Sequence, residues 1–386
     1  MAAFLPASGR DCDGRTTVVV HFLDNSSKTI LVESSTEVIE VVTEVYNRLQ
    51  IKDESIPVDY FGLYSSDGST CQEHLSNQEN VLEAQEQCAK LVFKVRLLMH
   101  RTVLTRCPAV THLMYIQAVH HIVTGYYYIT ESDAARLAAV SVIERYGNRD
   151  DETDPLTTEV IASNIHELLP AELLDDKGAA AWAHDILDKY TILKNLEKDF
   201  NPKMTYMSLL ESLGSTADAF MCTLFPCSQV DLDPSVPKDI VVGINADGLK
   251  ILDKATLEMF EEYQLSDVYQ WGFDQDDRNF YLRLKRDSDR IVFQSPRGIE
   301  MSVLLTDVAC ARLQDIVDDD ETDSSSGDDE EGEEDDMLGL MVKVQAVWRR
   351  ALARVRMKKE YGAVQFQALW RGYQGRMKYD RLVDEL

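Results

Sequence analysis

The sequence predicts a multi-domain α+β protein, in which three folded lobes precede an acidic linker and a basic C-terminal helix. The 386 residues exceed the length of one ordinary domain, and 45% of them are apolar, enough for several cores. The hydrophobic pattern changes from strands to helices near residue 101 and back to strands near residue 215. Acidic and basic residues then segregate at the C-terminal end.

These changes of pattern set the expected boundaries. The predicted segments are a disordered N-terminus (1–15), a first α+β lobe (16–100), a helical lobe (101–214), a β-rich lobe (215–317), a disordered acidic linker (318–337) and a long C-terminal α-helix (338–386).

The first lobe has strand patterns at both ends and a helix between them. Strands are predicted at 17–23 and 28–33, and further strands at 60–64 and 91–97. Ser34 with Glu37 has the spacing of a capping box, which predicts a helix from there to Leu49. Two strands, a helix and then more strands is the order of a ubiquitin-like β-grasp fold.

The second lobe is predicted to be a bundle of four to five helices. Thr130 with Asp133 predicts the start of one helix, and Gly125 and Gly147 mark helix ends. The predicted helices are 108–124, 130–147, 156–169, 179–196 and 203–213.

The third lobe returns to short strands with turn residues between them. The segment from Asn245 to Gly248 predicts a tight hairpin turn. A single helix at 299–316 follows, and Val303, Leu304, Val308 and Leu313 are expected to face the sheet. Seven strands and one C-terminal helix are the pattern of a PH/PTB-like β-sandwich lobe. The predicted strands are 219–225, 239–244, 248–252, 257–263, 268–273, 280–285 and 290–294.

A β-grasp lobe, a helical lobe and a PH/PTB-like lobe, in that order, resemble a FERM domain. The resemblance runs from about Thr16 to Asp318. It is carried by the capped helix starting at Thr130 and by the paired strands of 241–252, VVGINADGLKIL. The amino-acid sequence of these segments is most similar to FERM modules of myosin tails and talin-like proteins.

The resemblance implies a peptide-binding groove between the fifth strand and the helix of the third lobe. No arginine pair for phosphate is evident there, so weak phosphate dependence is expected. The implied groove residues are Val268, Tyr269, Gln270, Trp271, Gly272, Phe273, Ile299, Val303 and Leu304.

A basic cluster lies at the junction of the first two lobes. Strand alternation would put Lys90, Lys94 and Arg96 on one face, and Arg101 and Arg106 follow. Because FERM domains often bind phosphoinositide headgroups in basic clefts between lobes, the resemblance implies a lipid site here. A polar strand face paired with local acids is the alternative.

The C-terminal segment repeats one pattern after 22 positions: an apolar residue, then Gln, with Arg at positions six and eleven. Each copy places large apolar residues on one helical face among arginines, which suits an acidic, methionine-rich groove. The pattern resembles the IQ motif, so calmodulin or a calmodulin-like light chain is the implied partner. Arg350 departs from the motif, because Gly372 occupies that position in the second copy. The implied contact residues are Val344, Gln345, Val347, Trp348, Arg349, Arg354, Phe366, Gln367, Leu369, Trp370, Arg371, Gly372 and Arg376.

Charge and cysteine usage exclude several classes of function. Residues 315–336 carry −14 and residues 337–386 carry +7, so the formal net charge of −28 leaves −21 on the body. Such a body repels nucleic acid. Seven scattered cysteines indicate reduced thiols in the cytosol, and no run of 18 apolar residues predicts a membrane span.

The sequence shows none of the usual catalytic or phosphate-binding motifs, so we expect no enzyme, cofactor or metal. The histidines His112, His120 and His121 fall on a predicted helix and are interpreted as partly buried structural residues.

Two interpretations stay open. The first is a cytoplasmic adaptor that connects membrane-protein tails or the membrane to the cytoskeleton under calmodulin control. The second is a peripheral membrane module that binds phosphoinositide and is released by calmodulin.

Overall fold

The structure is a computed structural model that describes residues 16–53, 56–67, 72–97, 106–147, 156–193, 201–230, 235–274, 279–284 and 289–323. The predictions for the N-terminus, for 324–337 and for the IQ segment lie outside the described residues. The chain divides into two compact units. One comprises Met1–Met221 with Ala255–Glu258, and the other comprises Cys222–Lys254 with Met259–Leu386.

The first lobe is a five-stranded sheet in the order β2-β1-β5-β3-β4, crossed by one main helix. Strands β1 and β5 are parallel, and each is flanked by an antiparallel neighbour, which is the β-grasp arrangement. The elements are β1 Thr16–His21, β2 Ser27–Val32, α1 Val38–Arg48, β3 Phe61–Ser66, β4 Gln72–His74, α2 Val81–Gln87 and β5 Lys90–Val95. Strand β4 and helix α2 are too short to have been seen in the sequence pattern.

The predicted cap of α1 is wrong by three residues. The cap residue is Glu37, and the Glu40 carboxylate accepts a hydrogen bond from the Glu37 N–H at 2.7 Å. Ser34 lies in a preceding turn, where its carbonyl accepts from the Asn80 side chain at 2.8 Å. The Thr36 hydroxyl accepts from the Glu33 N–H, which closes that turn and delays the helix.

The second lobe is helical, as predicted, with additional short helices. The predicted segment 156–169 contains one short helix and a 3-10 turn, Ile165–Glu167. Trp182 and Tyr206 are fully buried at the centre, and the Trp182 indole donates to the Leu173 carbonyl at 2.7 Å. The helices are α3 Pro108–Val123, α4 Glu131–Tyr146, α5 Thr158–Ser163, α6 Ala171–Lys177, α7 Ala179–Leu193, α8 Pro202–Ser212 and α9 Gly214–Ala219.

The third lobe is a seven-stranded antiparallel sheet in the order β10-β11-β12-β6-β7-β8-β9. Helix α10 contacts β10 and β11 and also β7, which lies several strands away in the order, so the sheet curls around the helix. The strands are β6 Thr223–Gln229, β7 Asp239–Ile244, β8 Gly248–Asp253, β9 Met259–Gln264, β10 Gln270–Asp274, β11 Asn279–Arg283 and β12 Ile291–Gln294, followed by α10 Gly298–Asp323.

One strand boundary and one hairpin show how local chemistry sets this sheet. The predicted strand 219–225 begins late, because α9 includes Ala219 and Met221 has a positive φ of 65°. The predicted hairpin is confirmed, since the Asn245 side chain accepts from the N–H groups of Asp247 and Gly248. Arg312 of α10 holds this turn by donating to the Ala246 carbonyl and, at 2.8 Å, to Asp247.

Gly248 is predicted to be the glycine least tolerant of substitution. Its φ is +148°, and a Cβ there would lie 2.1 Å from the Tyr263 carbonyl oxygen. Gly248→Ala should therefore lower the free energy of unfolding by roughly 2–4 kcal/mol. Gly178→Ala is the control, because Gly178 has φ +79° but no atom within 4 Å of its added methyl group, so it should cost only about 1 kcal/mol. Equal losses for the two variants in urea unfolding would contradict this account.

Candidate functional site

Strand β10 ends the sheet and leaves one backbone edge open. It pairs with β11 from Gln270↔Arg283 to Asp274↔Asn279. Its other edge pairs with no strand among the residues that the structure describes. Open N–H and C=O groups on such an edge can pair with an added extended peptide.

Helix α10 is fixed against β10 at two points. The Trp271 indole donates to the Thr306 hydroxyl at 3.1 Å, and that hydroxyl donates to the Ser302 carbonyl at 2.7 Å. At the start of the helix, a Cβ on Gly298 would lie 3.1 Å from the Phe273 ring, so the glycine permits this close approach. These two contacts place the helix directly beside the strand edge.

The nine predicted groove residues divide into core and surface. Val268, Trp271 and Leu304 are at most 1% exposed and belong to the core. Gly272 is also buried, and Tyr269, Gln270 and Phe273 are half-buried. Ile299 and Val303 are each 46% exposed. We therefore expect Val268, Trp271 and Leu304 to support the groove from the core rather than to contact a peptide.

Val303 was expected to face the sheet, and that prediction is wrong. Leu304 and Val308 do face it, whereas the side chain of Leu313 lies outside the described residues. At 100° per residue, Val303 is turned away from Leu304 towards the side of Thr306. This rotation puts Val303 and Ile299, one turn apart, on the flank of α10 that adjoins β10.

We call the resulting surface the β10 groove. It consists of the open edge of β10 with Tyr269 and Phe273, and the helix flank with Ile299 and Val303. Half-buried Cys310 continues the same flank two turns beyond Val303, and the sequence analysis did not identify it or Thr306. Helical spacing from Ile299 would have found Cys310.

Two arginines of this lobe are engaged by neighbouring side chains. Arg290 lies over the Tyr281 ring at 4.2 Å, and Tyr281 covers Gly272 on the face opposite to Trp271. Arg297 forms an ion pair with Glu300 at 2.6 Å. The helix flank of the groove is apolar at Ile299 and Val303, which suits apolar side chains of a peptide strand.

The basic cluster of the first unit is smaller than predicted. Lys90 is exposed, and the Lys94 ammonium lies 4.1 Å from the centroid of the Tyr64 ring. Arg96 is only 8% exposed, so its predicted place on the same face is wrong. The N–H groups of Arg96 and Leu97 both donate to the Tyr60 carbonyl, which interrupts strand alternation at the end of β5. Of the two remaining predicted residues, Arg106 is exposed and Arg101 lies outside the described residues.

Two histidines of α3 lie close to Lys94. His121 contacts the rings of Tyr126 and Tyr127 at centroid distances of 4.7 and 5.1 Å. Burial, Lys94 and His120 hold the pKa of His121 well below its usual value. Burial and Lys94 also lower the pKa of His120. Both imidazoles are neutral near pH 7, as expected for structural helix histidines.

A third histidine of α3 contacts the first lobe. His112 Nε2 lies 3.7 Å from the Asp24 carboxylate in the turn after β1. Burial and then Lys203 lower the pKa of His112, while Asp24 and Glu144 oppose this shift. Like the other two, it is partly or fully enclosed by protein. Among the described residues, no group of three or more His, Cys, Asp or Glu is placed to hold a metal ion.

Acidification is predicted to destabilise this unit through His121. Its pKa is lowered in the folded state and returns to about 6.5 on unfolding, so the unfolded chain binds more protons below that pH. The free energy of unfolding should therefore fall between about pH 7.5 and pH 5.5, and His121→Gln should flatten this dependence. Urea titrations at both pH values measure it, with exposed His184→Gln as the control. A His121→Gln slope equal to that of the wild type would show that this imidazole does not contribute.

Family comparisons match these lobes in order. A model of an RA-like domain matches residues 14–101, the FERM central domain matches 101–217, and a PTB domain of the IRS-1 type matches 229–313. The IQ calmodulin-binding motif matches 361–380, which includes the second predicted copy. The chain is therefore a FERM-domain protein that carries an IQ motif. The first copy, at 344–354, stays a prediction.

Several known proteins are similar to the chain. The kinesin-like protein KIN-14I of rice is 24% identical over 320 residues, which are 75% of this chain and 24% of the relative. FERM domain-containing protein B of Dictyostelium discoideum is 24% identical over 206 residues, covering 51% of this chain and 41% of the relative. Talin-A of the same organism is 23% identical over 287 residues, which are 73% of this chain and 11% of the relative. The chain thus spans less than half the length of these relatives.

Solved structures show the same fold. The MyTH4-FERM MF2 domain of Dictyostelium myosin VII superposes with a TM-score of 0.60 at 19% identity, covering 76% of this chain and 58% of that one. The FERM and C-terminal domain complex of Drosophila merlin gives 0.60 at 20% identity, covering 76% and 94%.

Proposed function

We propose that this protein is a non-enzymatic cytoplasmic adaptor that links membrane-protein tails, or the membrane, to the cytoskeleton. The families that match are protein-interaction modules, which supports a binding role. Relatives include a myosin, Myosin-VIIa of Drosophila melanogaster, and talins, which supports a place at the cytoskeleton or the cytoplasmic face of a membrane. Among the described residues, no helix combines the length and apolarity that crossing a bilayer requires.

The β10 groove is the observation that carries this proposal. An open strand edge can form backbone hydrogen bonds with any extended peptide, so this part of the affinity does not depend on the side chains of the peptide. Ile299 and Val303 then select apolar side chains on the peptide face that meets the helix. Two exposed β-branched residues one turn apart would otherwise leave apolar surface in water.

A charge placed in the groove wall is expected to weaken peptide binding. Val303→Asp would put a carboxylate where an apolar peptide side chain must be desolvated, so affinity should fall at least about tenfold. The probes are fluorescein-labelled synthetic peptides that copy cytoplasmic tails of single-pass membrane proteins. Binding is followed by anisotropy, and amide exchange should slow in β10.

Val230→Asp is the matched control, because Val230 is 53% exposed and follows β6, away from β10 in the sheet order. It makes the same change of charge at a comparable exposure. Peptides that bind both variants equally, or that crosslink only to the first two lobes, would contradict the groove assignment.

The IQ motif is proposed to bind calmodulin or a calmodulin-like light chain and so to regulate the adaptor. The match at 361–380 supports this for the second copy. Trp370, Leu369 and Phe366 share one face at helical spacing and would insert into the partner groove.

Trp370→Ala is expected to weaken calmodulin binding roughly 30-fold or more, because removal of a buried aromatic anchor costs above about 2 kcal/mol. Arg371→Ala should mainly reduce the salt dependence. Titration calorimetry of the full chain measures both variants. If a double Trp348→Ala, Trp370→Ala variant binds calmodulin like the wild type, the assignment is wrong.

A phosphoinositide-binding membrane module is the second candidate function. It is favoured by Lys90 and Lys94, which share one face of β5 by strand alternation, and by the neutral state of His120 and His121 close to Lys94. Lys90→Glu with Lys94→Glu should then abolish sedimentation with phosphoinositide vesicles at physiological salt, whereas vesicles without anionic lipid should not bind at all. Strong vesicle binding without tail-peptide binding would favour this candidate over the adaptor.

A further inference from the structure

The seven-stranded sheet has a second open edge, at β9, which the proposed function does not use. Strand β9 pairs with β8, and its other edge pairs with no strand within the described parts of the chain. Edge strands in soluble proteins are commonly protected by lysine, proline or a bulge. Strand β9, MFEEYQ, has neither lysine nor proline, and its protection consists of a bulge near its first residues and the charges of Glu261 and Glu262.

The beginning of β9 exposes two large apolar side chains. Met259 and Phe260 are each 40% exposed. Met259 is opposite Leu252 and Glu261 is opposite Ile251, so Phe260 is the additional residue of the bulge. Exposed methionine and phenylalanine side by side form an adaptable apolar contact surface.

Two carboxylates follow directly along the same edge. Glu261 shares a face with Tyr263, opposite the buried side chains of Ile251 and Leu249, whereas Glu262 lies on the other face, opposite Lys250. The Tyr263 hydroxyl donates to the Glu261 carboxylate. In the described part of the chain, neither Glu261 nor Glu262 forms an ion pair.

The electrostatics of this edge favour a cationic partner. Burial and the neighbouring Glu261 raise the pKa of Tyr263, so its hydroxyl stays protonated and holds that carboxylate in place. An added strand would exclude water from both carboxylates, which is unfavourable unless the strand brings positive charge. The chemistry of β9 therefore differs from that of the β10 groove, whose helix flank is apolar.

We propose that β9 is a second docking edge, for an extended partner segment in which two adjacent basic residues are followed by two adjacent apolar residues. An antiparallel strand meets Glu262 and Glu261 first and then Phe260 and Met259, which fixes this order. Backbone pairing supplies affinity, and the order of side chains supplies selectivity. This site is independent of the β10 groove, and its partner is recognised by charge as well as by shape.

One segment of this chain has the same order, Arg349-Arg350-Ala351-Leu352. Its apolar residues recur at helical spacing, which favours a helix rather than a strand. We therefore assign the edge to a separate polypeptide, and occupation by the chain's own tail is an outcome that the test distinguishes.

The probe is a fluorescein-labelled 12-residue peptide with Lys-Arg-Val-Ile at its centre. Its control has the same composition with the basic and apolar residues alternating. Both are titrated into the full chain at physiological salt. The ordered peptide should bind at least about tenfold more tightly than the alternating one, and amide exchange at residues 259–264 should slow in its complex.

Variants separate this edge from general attraction to an acidic protein. Glu261→Gln with Glu262→Gln should weaken the ordered peptide about tenfold. Asp175→Asn with Asp176→Asn makes the same charge change at adjacent exposed residues of α6 and should leave affinity unchanged. Val303→Asp should also have no effect, because it alters only the β10 groove.

Equal affinity for the two peptides, or an equal effect of the two double variants, would overturn the proposal. So would an absence of binding to the full chain. In that case, slow exchange at 259–264 in the unliganded protein would identify the chain's own tail as the occupant. Because the exchange measurement uses the wild type, it decides the question even if a variant is poorly folded.

Discussion

The contact between the Trp271 indole and the Thr306 hydroxyl holds the third lobe in its observed form. The indole is fully buried, and its N–H would be costly to leave without an acceptor. The Thr306 hydroxyl supplies that acceptor and itself donates a hydrogen bond to the Ser302 carbonyl of its own helix. Helix α10 is consequently held, within its first half, against the second residue of strand β10, beside the groove.

An antiparallel sheet that does not close must leave two edges, and this lobe places different chemistry at each one. The β10 edge has an apolar helix flank beside it, whereas the β9 edge carries Glu261 and Glu262 on the strand itself. A partner that fits one edge is therefore poorly suited to the other. The same sheet can hold two segments without competition for one surface.

Patterns of local chemistry predicted most of the fold. The polar turn at Asn245, the cap at Thr130 and the short apolar run of β7 depend on neighbours within a few residues, and each is present. The three lobes follow from the order of such patterns.

The errors arise where distant residues decide the outcome. Arg96 is buried because the Tyr60 carbonyl accepts two consecutive N–H groups, and no spacing within β5 records this. Helix α1 begins later than predicted because the segment ending at Thr36 closes a turn. Asn80, from a distant part of the sequence, bridges that turn. The exposure of Val303 depends on which flank of α10 meets the sheet, and the apolar pattern alone left that choice open. The position of β9 at an edge could not be predicted from its own sequence, because it depends on the strand order of the whole sheet.

Helix α10 also has a mechanical consequence. It runs without interruption from Gly298 to Asp323, a rod of about 39 Å at 1.5 Å per residue. Its first turns form the groove wall, and its last turns lead towards the C-terminal segment. A tensile load applied beyond Asp323 travels along this rod and reaches Arg312 before it reaches Val303. Since Arg312 is fastened to the turn at Ala246 and Asp247, that turn bears the load first. A load along α10 therefore meets this contact with the sheet before it meets the groove wall.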